Sequence, residues 1–258
     1  MKLAAKSGQA RIIQILFENL PQCQISQPWK PAHFESDSLN DGKDIAKYWS
    51  ISEDGPIHAA LDGSDPISVL QVFFDAGMSV DYDLDKAGNL MTVAIFSLES
   101  VNLTKFLLER GASPNGYHLY QTFVAKAASE PTPELLNLLI SHGAALDGYP
   151  LRSAAEHRRV SNAEALLNYG ADINEAFAEM DFLADPPRQI LQGTALHSAI
   201  TGGWRDLPAT DSTADMIRFL LGHGAKPDIL NVDGKTAFQL AQGHDDVLAV
   251  FADYGIKE

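Results

Sequence analysis

Residues 166–171 read Leu-Leu-Asn-Tyr-Gly-Ala: apolar residues, then two polar ones, then glycine and alanine. Close variants of this pattern stand at residues 73–77, 107–112, 138–144, 220–225 and 250–255. The glycines of the six copies are Gly77, Gly111, Gly143, Gly170, Gly224 and Gly255, which are 34, 32, 27, 54 and 31 residues apart. A period of about 33 residues therefore runs through the chain, which is typical of stacked structural repeats.

Each of these glycines follows an apolar run of helical character, as in Ile217-Arg218-Phe219-Leu220-Leu221. Glycine tolerates positive φ and so ends a helix at little cost. A second pattern precedes most of these runs, for example Pro-Ile-His-Ala-Ala at 56–60 and Thr-Ala-Leu-His-Ser-Ala at 194–199. Threonine caps helix N-termini, and proline is tolerated in the first turn. The two patterns predict a short inner helix, a turn and a longer outer helix in each unit.

Together these patterns resemble the ankyrin repeat, whose inner helix reads T-P-L-H-x-A-A and whose outer helix ends L-L-x-x-G-A-D-x-N. Residues 171–174 and 231–237 match closely, and weaker versions extend from about Lys2 to Gly255. The resemblance implies an all-α ankyrin-repeat solenoid of about seven helix-turn-helix units with two long finger-loop insertions. It also implies a structural role for His58 and His197, whose rings would hydrogen-bond the backbone of neighbouring repeats.

We expect residues 1–258 to form a single ankyrin-repeat domain, because one unit cannot bury its apolar face alone and stacking supplies the core. The predicted units cover approximately residues 1–20, 55–80, 88–115, 121–147, 149–174, 193–228 and 235–256. The predicted insertions cover residues 21–54, 175–192 and 203–213. The first unit begins inside its inner helix, so we expect the chain to be a piece of a longer protein.

The connections between units differ in length, and the differences show where the stack is modified. Counting from a stop glycine to the next inner helix, residues 224–236 give 12 and residues 111–122 give 11. Residues 170–194 give 24, whereas residues 143–149 give only 6. In an ankyrin stack these connections are fingers along one edge of a concave groove. The stretch from Leu20, which stands where a stop glycine would, to Gly55 is also enlarged, at 35 residues. The sequence thus predicts two enlarged fingers near the two ends of the stack, with a trimmed finger between them.

The three tryptophans, Trp29, Trp49 and Trp204, all lie in the predicted insertions. Exposed aromatic rings on insertions are typical of recognition surfaces, since they bury a large area at low entropic cost. Alternatively, these rings anchor the insertions on the stack. The same alternatives apply to the other insertion aromatics Phe34, Tyr48, Phe177 and Phe182.

Groove-facing residues are expected just after the paired small residues of each inner helix. These positions hold Lys6, Asp62, Glu130, Glu156, His157, Thr201 and His244. The predicted partner-binding residues are Trp29, Trp49, Asp62, Glu130, Glu156, His157, Thr201 and Trp204. With 19 basic and 34 acidic residues, the net charge is −15, which disfavours nucleic acid and anionic membranes and favours a basic protein or peptide. Ordinary solvated charge is the alternative interpretation.

No catalytic, cofactor-binding or metal-binding residue is predicted. Gly234-Lys235-Thr236 resembles the end of a phosphate-binding loop, but Ile229 stands where that motif needs glycine. The acidic residues after Asp81 fail as a calcium loop, because Lys86 and Thr92 occupy positions that need glycine and glutamate. Cys23 is the single cysteine, which excludes an internal disulfide and suits a reducing compartment. With no signal peptide or membrane-spanning stretch, we expect a soluble, intracellular and cytoplasmic protein.

The sequence therefore favours a non-enzymatic scaffold, a protein–protein interaction module that binds a protein or peptide in its concave groove with the insertions contributing. The alternative is a small-molecule-binding protein or acid–base enzyme that uses Asp62, Glu156 or His157 in a pocket walled by the insertions. A third possibility is a structural spacer with an evenly polar groove. The sequence leaves the oligomeric state open.

Overall fold

The computed structural model describes residues 2–19, 56–82, 84, 88–97, 100–118, 121–181, 188–202 and 211–257. The chain divides into two compact units, Met1–Ser113 and Pro114–Glu258. Several sequence predictions concern residues outside the described part: the insertion at 21–54, most of the insertion at 203–213, and the side chains of Trp29, Phe34, Tyr48, Trp49, Phe182 and Trp204.

The unit Met1–Ser113 contains short and longer helices that alternate along the chain. Its described helices are α1 Lys2–Lys6, α2 Ala10–Asn19, α3 Pro56–Leu61, α4 Pro66–Asp75, α5 Leu90–Phe96 and α6 Ser100–Leu108. The short helix α1 packs against α3, and the longer helix α4 packs against both α2 and α6. Ala5, Ala60, Leu70 and Leu107 are fully buried where these helices meet.

The unit Pro114–Glu258 repeats the same alternation. Its described helices are α7 Phe123–Ala128, α8 Glu134–Ser141, α9 Pro150–Glu156, α10 Val160–Asn168, α11 Ala195–Thr201, α12 Thr213–Gly222, α13 Ala237–Leu240 and α14 Asp245–Asp253. We call α7, α9, α11 and α13 the inner helices and α8, α10, α12 and α14 the outer helices. Successive inner helices contact one another, and α12 contacts α10 and α14. The helices are therefore stacked in chain order.

Small side chains allow the inner helices to approach closely. Ala127 and Ala128 on α7 and Ala154 and Ala155 on α9 have no solvent exposure. Interiors are packed at crystal-like density, so a larger side chain at these positions would force the helices apart. The paired alanines of the sequence pattern are the residues that set this spacing.

The glycine pattern predicted helix ends, and the structure confirms it. All six pattern glycines have positive φ, between 72° at Gly255 and 96° at Gly77. The predicted caps are also present: the side chains of Thr122 and Thr236 accept hydrogen bonds from the backbone N–H of Ala125 and Gln239. Local sequence thus determines where these helices begin and end.

Two small β-hairpins stand between helices of the second unit. Strand β1 (Tyr117–His118) pairs antiparallel with β2 (Gln121–Thr122), and β3 (Phe177–Asp181) pairs antiparallel with β4 (Arg188–Gly193). The finger-loop insertion predicted at residues 175–192 contains the second hairpin, whose register changes between Phe177 and Ala178.

None of the helices in the described ranges is both long and apolar enough to cross a membrane.

Candidate functional site

Charged side chains of α7, of Glu130 just after it, and of α9 are partly exposed. Lys126 pairs with Glu130, and the Nη2 of Arg152 lies 3.6 Å from the Oε2 of Glu156. In both pairs the base precedes the acid by four residues, the spacing that brings side chains together on one helical face. These four side chains are between 24% and 37% exposed, so solvent or a partner can reach them. This surface presents paired charges rather than free carboxylates.

His157 and Thr201 use their side chains to complete helix ends. The Nδ1 of His157 lies 2.9 Å from the carbonyl oxygen of Ser153; because a carbonyl only accepts, Nδ1 carries the hydrogen. The hydroxyl of Thr201 donates to the carbonyl of His197 at 3.1 Å. Glu156 turns to Arg152, so Glu156 and His157 are not joined as an acid–base pair.

The remaining groove-facing predictions are exposed. Asp62 follows α3 in the first unit, and its backbone N–H donates to the carbonyl of His58 at 3.0 Å. Lys6 and His244 are also exposed. Glu130, Glu156, His157 and Thr201 all belong to the second unit, where α7, α9 and α11 are neighbours.

A buried arginine, which the sequence analysis did not identify, joins successive helix pairs of the second unit. Arg159 is only 1% exposed, and its Nε donates to the carbonyl of Ser129 at 3.0 Å. Burial lowers the pKa of Arg159, while the negative charges of Glu130 and Asp211 oppose that shift. Asp211 also accepts from the backbone N–H of Val160 at 3.2 Å. This cluster attaches the segment before α12 to the turn between α9 and α10.

Asn162 makes a second buried connection beside Arg159. Its Nδ2 donates to the carbonyls of Ala128 at 2.9 Å and Glu130 at 2.8 Å. These carbonyls stand at the end of α7, where helical partners run out. The signal for this role in the sequence is an asparagine in the otherwise apolar face of α10. A polar residue in such a pattern is usually predicted to lie at the surface.

The turn between α9 and α10 carries an unusual backbone conformation. Arg158 has a φ of 54°, in the left-handed region that is costly for a residue with a side chain. Its guanidinium donates to the carbonyl of Gly202 at 3.3 Å. Gly202 packs so closely on the backbone of Glu156 that a Cβ there would overlap it. Contacts across α9 and α11 therefore hold this turn in place.

Phe177 anchors the β3–β4 hairpin on α9. Its ring is 8% exposed, lies edge-on to Tyr149 at a centroid distance of 5.4 Å, and has the guanidinium carbon of Arg152 3.8 Å from its centroid. Arg152 stands where the T-P-L-H pattern has histidine. The sequence left two roles open for the insertion aromatics, contact with a partner and anchoring of the insertion on the stack. Phe177 has the anchoring role.

His197 has the structural role that the resemblance implied. The ring is 2% exposed, and its Nδ1 accepts the backbone N–H of Thr194 at 3.1 Å. Nε2 therefore carries the hydrogen and donates to the carbonyl of Lys235 at 3.2 Å. Burial lowers the pKa of His197, and the hydrogen bonds to the carbonyls of Lys235 and Ile229 oppose that shift.

No group of three or more histidine, cysteine or carboxylate side chains that could hold a metal ion occurs among the residues that the structure describes.

The stacked helix pairs, the glycine-ended outer helices and the bridging His197 define the ankyrin-repeat fold. Solved structures with this architecture include EF0377, an ankyrin repeat protein (TM-score 0.56, 23% identity, 76% of this chain and 96% of that one). An ankyrin repeat domain from Acinetobacter baumannii AYE gives a TM-score of 0.62 at 23% identity and covers 78% of this chain and 98% of its own. The ankyrin repeat domain of Bcl-3, a member of the IkappaB family, gives 0.54 at 19% identity over 78% and 82%.

The chain thus has the ankyrin-repeat fold, as its sequence patterns predicted. No protein-family model matches the sequence, and the comparison with curated proteins finds no match.

Proposed function

We propose that the chain is a protein-interaction module whose inner helices in the unit Pro114–Glu258 hold a segment of a partner protein or a peptide. The observation that carries this proposal is the two partly exposed ion pairs, Lys126–Glu130 at the end of α7 and Arg152–Glu156 on the neighbouring inner helix α9.

A rigid base underlies these ion pairs. The alanines beneath them are fully buried, so the helices cannot shift without opening the core. A surface that is already ordered before binding avoids part of the entropic cost of association. Exposed ion pairs contribute little to folding, so a partner can exchange them for its own charges at a small cost in stability.

The partner that we propose is basic. The net charge of −15 steers cationic segments toward the chain, although Glu130 and Glu156 themselves are already paired with bases. Thr201 on α11 would add a polar contact. With one cysteine in the sequence, we also propose a reducing, cytoplasmic location.

The alternative of a small-molecule enzyme is not proposed. The pocket walls that it needs fall largely within residues 21–54 and 203–210, outside the described residues. Glu156 and His157, its acid–base candidates, each contact their own helix instead.

The test is a selection of peptides from a random displayed library on the immobilised chain, followed by affinity measurements on variants. We expect the double variant Glu130→Lys with Glu156→Lys to bind the selected peptides at least 10-fold more weakly, because both ion pairs become repulsive. The matched control, Glu164→Lys with Asp253→Lys, changes the same charge at exposed sites on the outer helices. The proposal would be contradicted if both double variants lost peptide affinity equally, or if the Glu130 and Glu156 double variant lost none.

The contribution of the insertions is tested separately with Trp49→Ala and Trp204→Ala combined. Truncating a tryptophan at the centre of an interface costs about 2 kcal/mol or more, so we expect the double variant to lose most of its affinity. Wild-type affinity in this variant would remove the tryptophans from the proposal and leave the inner-helix surface unaffected.

A further inference from the structure

The trimmed connection at residues 144–149 is tied to the finger before it. The backbone N–H of Ala145 donates to the Oδ1 of Asn115 at 2.8 Å, and the hydroxyl of Thr122 donates to the carbonyl of Asp147 at 3.0 Å. Gly148 and Tyr149 then take positive φ values of 71° and 58° and bring the chain directly to α9. The short loop is therefore hydrogen-bonded to the finger that contains β1 and β2.

The link from this loop to the next finger is missing. Asn115 and Asn174 each stand four residues after a stop glycine, and the Oδ1 of each accepts a backbone N–H from the following connection, at Ala145 and Lys226. Asp147 stands at the equivalent position after Gly143. In the described ranges the carboxylate of Asp147 accepts no backbone N–H from the following connection. The N–H of Asp172, which like those of Ala145 and Lys226 stands two residues after a stop glycine, has no acceptor there.

The hairpin strand β3 borders this break. Phe177 at the start of β3 contacts Tyr149 and Arg152 at α9, whereas β4 contacts α11. In the described part of the chain β3 pairs with β4 alone, so the main-chain donors and acceptors of its other edge are not paired with a strand there. Such an edge is a template for an additional strand.

The charges around the break are acidic. Asp147, Asp172 and Glu175 have no basic partner among the described residues. Partial desolvation and, to a lesser extent, the charge of Asp172 raise the pKa of Glu175.

From these observations we propose that an extended, lysine- or arginine-rich segment of the partner pairs with the free edge of β3 and occupies the break above residues 144–149. Main-chain hydrogen bonds would hold the segment, and its basic side chains would neutralise the carboxylates. This inference rests on the proposed function, since it assigns the place where the partner's extended part binds.

The probe is a fluorescein-labelled nine-residue peptide of alternating lysine and threonine, together with the same peptide N-methylated at every amide. We expect the unmodified peptide to bind and to slow the hydrogen exchange of alternate amides in residues 178–181 at least 10-fold, measured by NMR. N-methylation keeps the charge but removes the donors, so it should abolish binding.

The matched variants are Asp147→Asn and Asp228→Asn. Asparagine at position 147 supplies the side-chain amide with which Asn115 and Asn174 accept an N–H of the following connection. The same substitution removes one carboxylate. We expect it to weaken binding at least 10-fold, whereas Asp228→Asn, an exposed site on the finger before α13, should change binding less than 2-fold.

The failures of the two proposals are distinguishable. Protection that appears on α7 and α9 instead of β3 would overturn this inference and leave the inner-helix proposal standing. Equal binding of the N-methylated peptide, or no binding at about 1 mM peptide, would also overturn it. The display experiment on the Glu130 and Glu156 variants tests the inner-helix surface independently.

Discussion

Individual buried polar side chains fix the register of the second unit. Apolar packing between helices is non-directional, so it does not by itself choose one alignment. Asn162, Arg159 and His197 each hydrogen-bond a carbonyl of a neighbouring repeat unit. An unsatisfied carbonyl is costly when buried, and these three bonds therefore penalise any other alignment.

The contribution of Asn162 is testable by truncation. Asn162→Ala leaves the carbonyls of Ala128 and Glu130 without their side-chain donor and creates a cavity, so we expect unfolding to need about 2–3 kcal/mol less free energy. Urea denaturation followed by circular dichroism measures this loss. Asn168→Ala, an exposed change on the same helix, should stay within about 0.5 kcal/mol of wild type; equal effects would contradict the assignment.

His197 predicts how stability depends on pH. Its pKa is lowered in the fold, so between that value and the ordinary value of about 6.5 the unfolded chain binds the extra proton. The contribution of neutral His197 to the free energy of unfolding is therefore fully present above about pH 6.5 and is lost as the pH falls toward the pKa of His197 in the folded state. Protonation would also oppose the hydrogen bond from Thr194, because Nδ1 could no longer accept.

Urea midpoints at pH 7.5 and 5.5 measure this effect. We expect the difference between the two midpoints to be smaller in His197→Asn than in wild type, with His244→Asn as the control for losing an exposed imidazole. The same difference in wild type and in His197→Asn would refute the role of the buried ring.

At the scale of elements, helices were predictable and the hairpin was not. Positive φ at a glycine and capping by threonine depend on a few adjacent residues, so the sequence patterns located the helix ends. The contact of Phe177 with Arg152 joins residues 25 positions apart, and no local pattern predicts it. The burial of Arg159 has the same origin, since its acceptor Ser129 is 30 residues away.

The paired charges of the candidate site have a local signal. Lys126 and Arg152 each stand four residues before an acid, the spacing that brings side chains together on one helical face. Position along the chain predicted Glu130 and Glu156 at the surface of the inner helices without these partners. The proposed basic partner therefore depends on the net charge of −15 and not on these two carboxylates alone.

The hairpin gives a prediction at this scale. Phe177→Ala removes the ring that lies against Tyr149 and Arg152, so β3 and β4 should detach from α9 more often. We expect their amides to exchange at least 10-fold faster, while the amides of α14 keep their wild-type rates. Tyr117→Ala, which removes an exposed ring on β1, is the matched control, and a similar acceleration of β3 and β4 in that variant would contradict the anchoring role.

For the molecule as a whole, the net charge of −15 acts at long range. Basic peptides selected on the chain should associate more slowly as salt rises, because the Debye length falls from about 10 Å at 0.1 M to about 3 Å at 1 M. We expect the association rate to decrease at least 5-fold between 50 and 500 mM NaCl in surface plasmon resonance, conditions that span this screening range. A salt-independent rate would show that charge does not direct binding.

The most direct test of the binding surface is photo-crosslinking. Benzoylphenylalanine is introduced at Thr201 on α11 in one variant and at Tyr169 after α10 in another, both exposed positions in the second unit. The proposal predicts that peptides selected on the wild-type chain crosslink through position 201 and not through position 169. Crosslinks through position 169 and none through position 201 would contradict it.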